Sequence, residues 1–179
     1  VERVVTRGDD VADDLKLVAS DVADCRACPR LVEWREQVAV EKRAAYADWD
    51  YWGRGVPPFG APEASVAVIG LAPAAHGANR TGRMFTGDAS GAFLFPALHR
   101  CGFTDRPVTE RRDDGLEVRD IFVTSAVRCV PPQNIPTRAE IVACRPWLER
   151  EVDGLRSEAE MVEELAADII REGRRDFWQ

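Results

Sequence analysis

The run Ala64-Ser-Val-Ala-Val-Ile69 and the long segment after it, Gly70-Leu-Ala-Pro-Ala-Ala-His-Gly-Ala-Asn-Arg-Thr-Gly-Arg-Met-Phe-Thr-Gly-Asp-Ala-Ser-Gly91, decide the fold of this chain. The run is short, apolar and rich in β-branched residues, which is typical of a strand buried in a parallel sheet. Ile121-Phe-Val-Thr124 is a second run of this kind. Helical patterns lie at 9–24, 30–48, 89–101, 137–150 and 157–173. Strands that alternate with helices predict an α/β layered domain with a mostly parallel sheet.

The composition predicts one soluble globular domain over residues 1–179. No apolar run has membrane length and the first residues lack a signal-peptide pattern, so an intracellular, reducing compartment is expected. The net charge is -7, yet the acidic excess lies in 1–24 and 145–179, whereas 76–112 has six arginines and three acidic residues. Phosphate binding depends on the local charge, so a net charge of -7 is compatible with a nucleic-acid partner. The acidic total does argue against tight binding that is driven by charge alone.

Segment 70–91 lies where ligands bind in parallel α/β sheets, beyond the carboxyl end of a strand. It contains five glycines, two arginines and one aromatic residue, Phe85. Backbone N–H groups and cations presented together suit phosphate or a planar polar ligand. The segment is neither a P-loop nor a dinucleotide fingerprint. A long structural loop is the alternative, although loops of this length in compact domains are usually functional.

Four cysteines form a second pattern: a tight pair, Cys25 and Cys28, and a wider pair, Cys129 and Cys144. Four soft sulfur ligands suit zinc or an iron–sulfur cluster. Structural zinc sites usually have two tight pairs, so the spacing favours iron–sulfur. The alternative is a C-x2-C redox motif with two ordinary buried thiols. The fifth cysteine, Cys101, lies in an apolar stretch and is predicted to be a small core residue.

Segment 70–91, the cysteine spacing and Ala126-Val-Arg-Cys-Val-Pro-Pro-Gln-Asn-Ile-Pro136 together resemble family 5 (type b) uracil-DNA glycosylases, the iron–sulfur relatives of the family 4 enzymes. The resemblance runs from about Cys25 to Leu148. It implies a three-layer α/β/α fold, and an enzyme that flips uracil or another deaminated base out of DNA and hydrolyses its N-glycosidic bond. It also implies a [4Fe–4S] cluster on the four cysteines, with zinc as the alternative, in a nucleoid-associated monomer.

The resemblance assigns the reacting groups to three residues. Phe85 is expected to stack on the extruded base, with a core phenylalanine as the alternative. Asn134 is expected to recognise the base edge and to take part in catalysis, and a turn-forming asparagine is the alternative. Asp88 is expected to be the catalytic carboxylate, because the N-glycosidic bond breaks through a positively charged sugar. Its alternative role is an N-cap for the helix that follows.

Further residues are assigned to binding. His76 is expected to contact the base or a phosphate, or else to stabilise the loop. Arg80 and Arg83 are expected to bind DNA phosphate or to order the loop. Backbone groups of three residues are expected to supply pocket hydrogen bonds: Gly70, Leu71 and Ala72. An aromatic group before the first strand is interpreted as core or loop anchor rather than a base-stacking platform: Tyr46, Trp49, Tyr51 and Trp52.

The sequence departs from the family pattern after Leu148. The family continues with another apolar strand ending in Leu-Gly and a His-Pro-Ser-like loop, whereas this sequence continues with an acidic helical pattern. Its two histidines, His76 and His99, come too early for that loop. A weakened activity is therefore expected. Two alternatives follow: a catalytically weak or inactive iron–sulfur DNA-binding homologue, and a zinc-stabilised nucleotide-binding module without glycosylase chemistry.

Overall fold

The computed structural model describes residues 7–155, which form five α-helices, three β-strands and two short 3-10 turns. The helix predicted at 157–173 lies outside the described residues. Within 7–155 no helix combines the length and the apolarity that crossing a bilayer requires. In chain order the elements are α1 (Arg7–Asp24), α2 (Pro29–Glu41), a 3-10 turn (Ala44–Tyr46), β1 (Phe59–Gly60), β2 (Val66–Gly70), α3 (Ala78–Thr81), α4 (Ala89–Arg100), β3 (Ile121–Ser125), a 3-10 turn (Pro132–Asn134) and α5 (Arg138–Leu155).

The described sheet has the strand order β1-β3-β2. The two predicted strands, β2 and β3, are neighbours and run parallel, in a register that pairs Val66 with Ile121 and Gly70 with Ser125. The short strand β1 pairs antiparallel with β3. The α/β class is therefore confirmed. In the described residues the longer pairing is the parallel one predicted, and the short antiparallel pairing of β1 makes the sheet mixed. The two-residue strand β1 carries no apolar run that sequence periodicity can detect.

Helices cover both faces of the sheet, which confirms three layers. Ile121 and Val123 of β3 belong to one core cluster with Phe95 of α4. Phe122 points to the other face, where it joins Leu15 of α1 and Leu155 of α5. This alternation follows from the strand geometry, in which successive side chains point to opposite faces. Every residue of β3 is buried, so the strand reads as a continuous apolar run.

Helix termini agree with the sequence signals in two cases and differ in one. The capping box before α5 is confirmed: Thr137 N donates to Glu140 Oε2 at 2.7 Å, and Glu140 N donates to Thr137 Oγ1 at 3.3 Å. Asp88 is the N-cap of α4. The helix predicted at 30–48 instead ends at Glu41, because Lys42 takes a φ of 52°, which a right-handed helix excludes.

Cys101 was predicted to be a core residue, and this prediction is wrong, because the residue is exposed. It follows Phe95 and Leu98 at helical spacing, but α4 has already ended at Arg100. Gly102, with a φ of 84°, then turns the chain. As a result Phe103, not Cys101, packs against the core that α4 covers.

A buried ion pair connects the segment after β3 to α5. Arg128 Nη2 donates to Glu151 Oε2 at 2.7 Å, and the exposed fractions of these side chains are 1% and 0%. Thr124 Oγ1 donates to the same carboxylate oxygen at 2.7 Å. Because each charge has its counter-charge in the interior, the pair fixes α5 against the end of the sheet.

Candidate functional site

Segment 70–91 folds back on itself beyond the carboxyl end of β2. Its first turn leads into the four-residue helix α3. Thr81 Oγ1 donates to Gly77 O at 3.1 Å and lies 3.2 Å from Thr86 O, which joins the two arms of the loop. Backbone N–H groups at 52–53 donate to carbonyl groups of α3 at 3.0 Å. The loop is therefore an ordered platform.

A cavity of about 720 Å³ opens beside this loop. Three of the residues predicted for the site line it together: His76, Asp88 and Asn134. Other lining groups come from Arg43, Tyr46, Pro96 and the segment 107–109. The volume is in the range of small-molecule sites, and one carboxylate, one imidazole and one amide converge on it.

Asp88 has its carboxylate fixed in position. Oδ1 accepts a hydrogen bond from Gly91 N at 2.9 Å, which caps α4. Oδ2 lies against the backbone of Gly77, so closely that a Cβ on that glycine would be 2.2 Å away. The expected alternative, an N-cap, is thus observed, and the same side chain also lines the cavity. The catalytic role of Asp88 stays a prediction.

His76 is oriented by an aromatic neighbour. Its Nδ1 lies 3.0 Å from Tyr51 Oη, and its ring centroid is 6.5 Å from that of Tyr46. Burial lowers the pKa of His76, and the positive charges of Arg43 and Arg80 lower it further. The imidazole is therefore neutral at physiological pH, and one ring nitrogen remains for a ligand.

Asn134 reaches the cavity from a different part of the chain, the 3-10 turn after β3. Gln133 and Asn134 both have a φ of 59°, and Ile135 N donates to Pro132 O at 3.2 Å. The turn is braced by Arg30, whose Nη2 donates to Ile135 O at 3.3 Å. Asn134 thus lies in a turn, as its predicted alternative role requires, and it is also exposed and lines the cavity.

Phe85 and Gly70 lie next to each other, outside the residues that line the cavity. A Cβ on Gly70 would be 3.1 Å from Phe85 Cζ, so the missing side chain makes room for the ring. The ring is half-buried and packs against the core cluster of α4. The expectation that Phe85 stacks on a base is not tested by this packing and stays a prediction.

The backbone at the end of β2 is already engaged with the segment after β3. Gly70 O accepts from Ala126 N at 2.8 Å, and Leu71 O accepts from Val127 N at 2.9 Å. Ala72 packs against the cysteine cluster. The carbonyl groups of Gly70 and Leu71 thus tie the strand ends together, and ligand contacts by the residues at 70–72 stay a prediction.

Arg80 is buried and orders the loop. Its guanidinium lies 4.0 Å from the ring centroid of Tyr46 and 4.1 Å from that of Trp49. Nε donates to His76 O at 2.7 Å, and Nη2 donates to Gly87 O at 3.2 Å. The two aromatic rings therefore act as loop anchors, as interpreted from the sequence, and Arg80 supports the wall that carries His76.

Arg83 is also buried, and it binds the segment at 109–114. Nη1 donates to Thr109 Oγ1 and to Asp114 Oδ1, both at 2.8 Å. Burial alone would raise the pKa of Asp114, but hydrogen bonds from Glu110 N and Arg83 hold it well below its usual range. The loop-ordering alternative accounts for both arginines, and contact between either of them and DNA stays a prediction.

Cysteines from three separate parts of the chain meet below the loop. Cys129 and Cys144 are buried in one cluster with Leu31 and Val127, and Cys28 packs against it. Cys25 lies within electrostatic range of both Cys28 and Cys129. All four are free thiols. Among residues 7–155, no group of three or more His, Cys, Asp or Glu side chains is arranged to hold a metal ion.

Burial raises the pKa of Cys28 and Cys129 and raises that of Cys144 to about 12. Thiolates in this cluster therefore need positive charge or hydrogen-bond donors nearby. Both are present: Arg35 Nη1 lies 2.9 Å from Cys129 Sγ, and Arg128 N donates to Cys144 Sγ at 3.3 Å. Such hydrogen bonds to sulfur are a feature of metal-thiolate centres.

Sequence reasoning missed two contributors to these sites. Tyr51 was seen only as part of an aromatic group, and its partner His76 lies too far away along the chain for a motif to connect them. Arg35 had a detectable signal, because it occupies the same helical stripe as Leu31 and Val38. A charged residue on an otherwise buried stripe indicates an interior partner.

Comparison with known proteins gives consistent matches. A family model described as the uracil DNA glycosylase superfamily matches residues 57–162. The type-5 uracil-DNA glycosylase of Mycobacterium leprae (strain TN) is 58% identical over 132 residues, which cover 74% of this chain and 58% of that protein. The type-5 uracil-DNA glycosylase of Thermus thermophilus is 51% identical over 139 residues, which cover 78% of this chain and 63% of that protein.

A more distant relative, the type-4 uracil-DNA glycosylase of Saccharolobus solfataricus, is 30% identical over 145 residues. The aligned region covers 80% of this chain and 52% of that protein. The chain therefore spans less than two thirds of the length of each of these three relatives. These matches confirm the resemblance inferred from segment 70–91 and the cysteine spacing.

Proposed function

This chain belongs to the uracil DNA glycosylase superfamily, and from that membership we propose that it is a DNA repair glycosylase that excises uracil from DNA. The observation that carries the proposal is the cavity lined jointly by Asp88, His76 and Asn134 at the carboxyl end of β2. Relatives that share more than half of the aligned residues are named type-5 uracil-DNA glycosylases. Base flipping would bring the uracil to the carboxyl end of β2, where this cavity opens.

Asp88 suits the charge requirement of the reaction. As the N–C bond breaks, positive charge develops on the sugar, and a nearby carboxylate stabilises that charge. The hydrogen bond from Gly91 N fixes Oδ1, and Oδ2 lies close to Gly77, so little reorganisation of the carboxylate is needed during the reaction. One oxygen is engaged in capping α4, and the other is the candidate to orient the attacking water.

Asn134 and His76 suit recognition of the base. The edge of uracil presents both acceptors and a donor, and an amide side chain offers both complementary groups. The rigid turn around Asn134 holds that amide at the cavity. A neutral His76, oriented by Tyr51, adds one more hydrogen-bonding nitrogen without a competing positive charge.

We propose that Cys25, Cys28, Cys129 and Cys144 hold a [4Fe–4S] cluster. The donor set fits in its chemistry, because Cys28, Cys129 and Cys144 pack together beside a buried guanidinium, and Cys25 lies three residues before Cys28. These four sulfurs would hold the centre, and thiolates are the ligands that iron–sulfur clusters take. When bound, it supplies iron–thiolate bonds that cross-link the start of α2 to α5. Its proposed role is structural, and zinc is the alternative that an absorption spectrum and metal analysis would reveal.

DNA is the proposed partner, and exposed arginines beside the loop are the proposed phosphate contacts. Arg43 is exposed and lines the cavity. Arg111 and Arg112 are also exposed. Contact by Arg80 or Arg83 would require the loop to open, because both are buried. We further propose that residues 1–179 act as one domain in a monomer that works on chromosomal DNA.

The test is excision from a labelled oligonucleotide with one uracil, single-stranded or paired with guanine. Treatment with alkali converts each abasic site into a strand break. We expect breaks at the uracil position and none in a matched oligonucleotide with thymine there, because the thymine methyl group does not fit a uracil pocket. If the chain binds the uracil oligonucleotide but produces no abasic sites, the enzyme proposal is overturned in favour of a non-catalytic DNA-binding homologue.

A further inference from the structure

Arg35 is a buried cation in the middle of α2. Its side chain is 1% exposed, which places it among the most buried large side chains of residues 7–155. Nη1 contacts Cys129 Sγ at 2.9 Å, whereas Nε has no hydrogen-bond partner in the described structure. Arginine stays protonated in proteins, so a full positive charge lies in the interior next to sulfur.

Arg128, the other fully buried arginine of residues 7–155, shows that an interior arginine without a carboxylate partner is unusual in this structure. Arg128 is equally buried, but it forms an ion pair with Glu151 at 2.7 Å. Within residues 7–155, Arg35 has no carboxylate at ion-pair distance, and its closest acceptor is the sulfur of Cys129. A buried charge without a counter-charge is strongly destabilising. The interior around Arg35 therefore requires an anion.

Neutral thiols do not provide that anion. A thiol carries no charge, so the contact between Arg35 Nη1 and Cys129 Sγ at 2.9 Å gives the guanidinium a hydrogen-bond acceptor but no counter-charge. A metal centre with four thiolate ligands provides it, because ligation deprotonates all four sulfurs and the complex keeps a net negative charge. The arginine and the thiolate centre each supply the charge that the other lacks.

We propose that Arg35 is the interior counter-charge of the four-cysteine centre, and that it retains the cluster and raises its reduction potential through its contact with Cys129. This inference rests on the cofactor proposed above. Net charge and hydrogen bonds to sulfur are among the factors that set cluster potentials. A fixed positive charge stabilises the more negative, reduced form, so its removal favours the oxidised form.

The experiment compares four proteins purified without oxygen: the parent chain, Arg35→Gln, Arg35→Lys and Arg26→Gln. Arg26 lies between the first two cysteines but is exposed and paired with Glu36, so its loss is screened by water. Iron and zinc per chain, the absorption spectrum and the midpoint potential from film voltammetry are measured for each. None of these readouts depends on uracil excision.

In Arg35→Gln that retains a cluster, we expect the potential to fall by at least about 59 mV, which is tenfold in favour of the oxidised form for one electron. Arg35→Lys keeps the charge and is expected to stay close to the parent chain, as is Arg26→Gln. If Arg35→Gln is isolated without metal while Arg35→Lys keeps it, the proposal is also supported, through retention.

Two results would overturn the inference. One is Arg35→Gln with a full cluster at the parent potential, and the other is equal metal loss in Arg35→Gln and Arg35→Lys, which would make packing rather than charge the cause. A parent chain with neither iron nor zinc would reject the cofactor proposal and this inference together. A parent chain that holds zinc would reject the effect on the reduction potential, and zinc retention against a chelator in the same variants would then test the counter-charge role alone.

Discussion

At the residue scale, the observed N-cap role of Asp88 and its proposed catalytic role can be separated by substitution. Asn is as good an N-cap as Asp, so Asp88→Asn should keep the hydrogen bond to Gly91 and leave folding intact. It removes the negative charge beside the sugar, and we expect excision to fall at least about tenfold, or roughly 1.4 kcal/mol in the barrier. Single-turnover excision of uracil measures this.

The matched control is Asp113→Asn, which removes the same charge from an exposed position. We expect its rate to equal that of the parent chain. Equal activity of the parent chain and Asp88→Asn would reduce Asp88 to a helix cap, and the catalytic carboxylate would then have to be sought elsewhere.

Gly77 allows the carboxylate of Asp88 to approach the backbone. A Cβ at this position would lie 2.2 Å from Asp88 Oδ2 and 2.9 Å from Asp88 Cβ, so Gly77→Ala must displace the carboxylate. We expect an excision rate at least about tenfold lower. In the double variant with Asp88→Asn the two losses should not add, because both act on one group. Additive losses would show that Gly77 acts independently.

Phe85 is half-buried, so its packing role in the core and its proposed stacking role must be separated. Base–aromatic stacking contributes roughly 1–3 kcal/mol, and Phe85→Ala should lower excision by about one to two orders of magnitude. Binding of undamaged DNA should change little. Phe85→Leu keeps most apolar packing without the aromatic face, and we expect it to fold but to excise slowly. Full activity in Phe85→Leu would assign Phe85 to the core alone.

At the element scale, the position of α5 depends on the buried pair of Arg128 and Glu151. Glu151→Gln keeps the shape but leaves the guanidinium of Arg128 without its counter-charge. Breaking such a pair costs about 3–5 kcal/mol, and we expect a loss of this size in the free energy of unfolding. Urea denaturation followed by circular dichroism measures it.

Glu149→Gln is the control in the same helix, since Glu149 is exposed. Its effect should stay within about 0.5 kcal/mol, as for most surface substitutions. A similar small effect from Glu151→Gln would show that the pair contributes little to the position of α5. The helix would then depend on apolar contacts such as those of Leu148 and Val152 with β2.

At the scale of the whole molecule, the proposed cluster joins the start of α2 to the segment after β3 and to α5. Cys129→Ala removes a buried ligand, so the brown colour and the thermal stability should be lost together. Absorbance, iron content and a melting curve on the same sample test this. Cys101→Ala is the control, because Cys101 is exposed and outside the cluster. A colourless parent chain with one zinc would contradict the iron–sulfur assignment.

Much of the architecture follows from short stretches of sequence. Strands β2 and β3 were both visible as apolar β-branched runs, although only β3 is fully buried and β2 is mostly half-buried. The capping box at Thr137 marked the start of α5. The superfamily was recognisable because segment 70–91 is long and specific. Such features are local: backbone hydrogen bonding and side-chain periodicity act over a few residues, so their signals lie within the segments that they shape.

The tertiary structure decided which of these residues meet and which are buried. Asn134 joins Asp88 and His76 only because β3 pairs with β2 and brings its turn to the same edge. Arg80, expected to reach phosphate or to order the loop, is buried between aromatic rings, and the buried cation Arg35 lies beside Cys129. Burial and charge pairing depend on surfaces that lie far apart in the chain, and a linear pattern does not contain them.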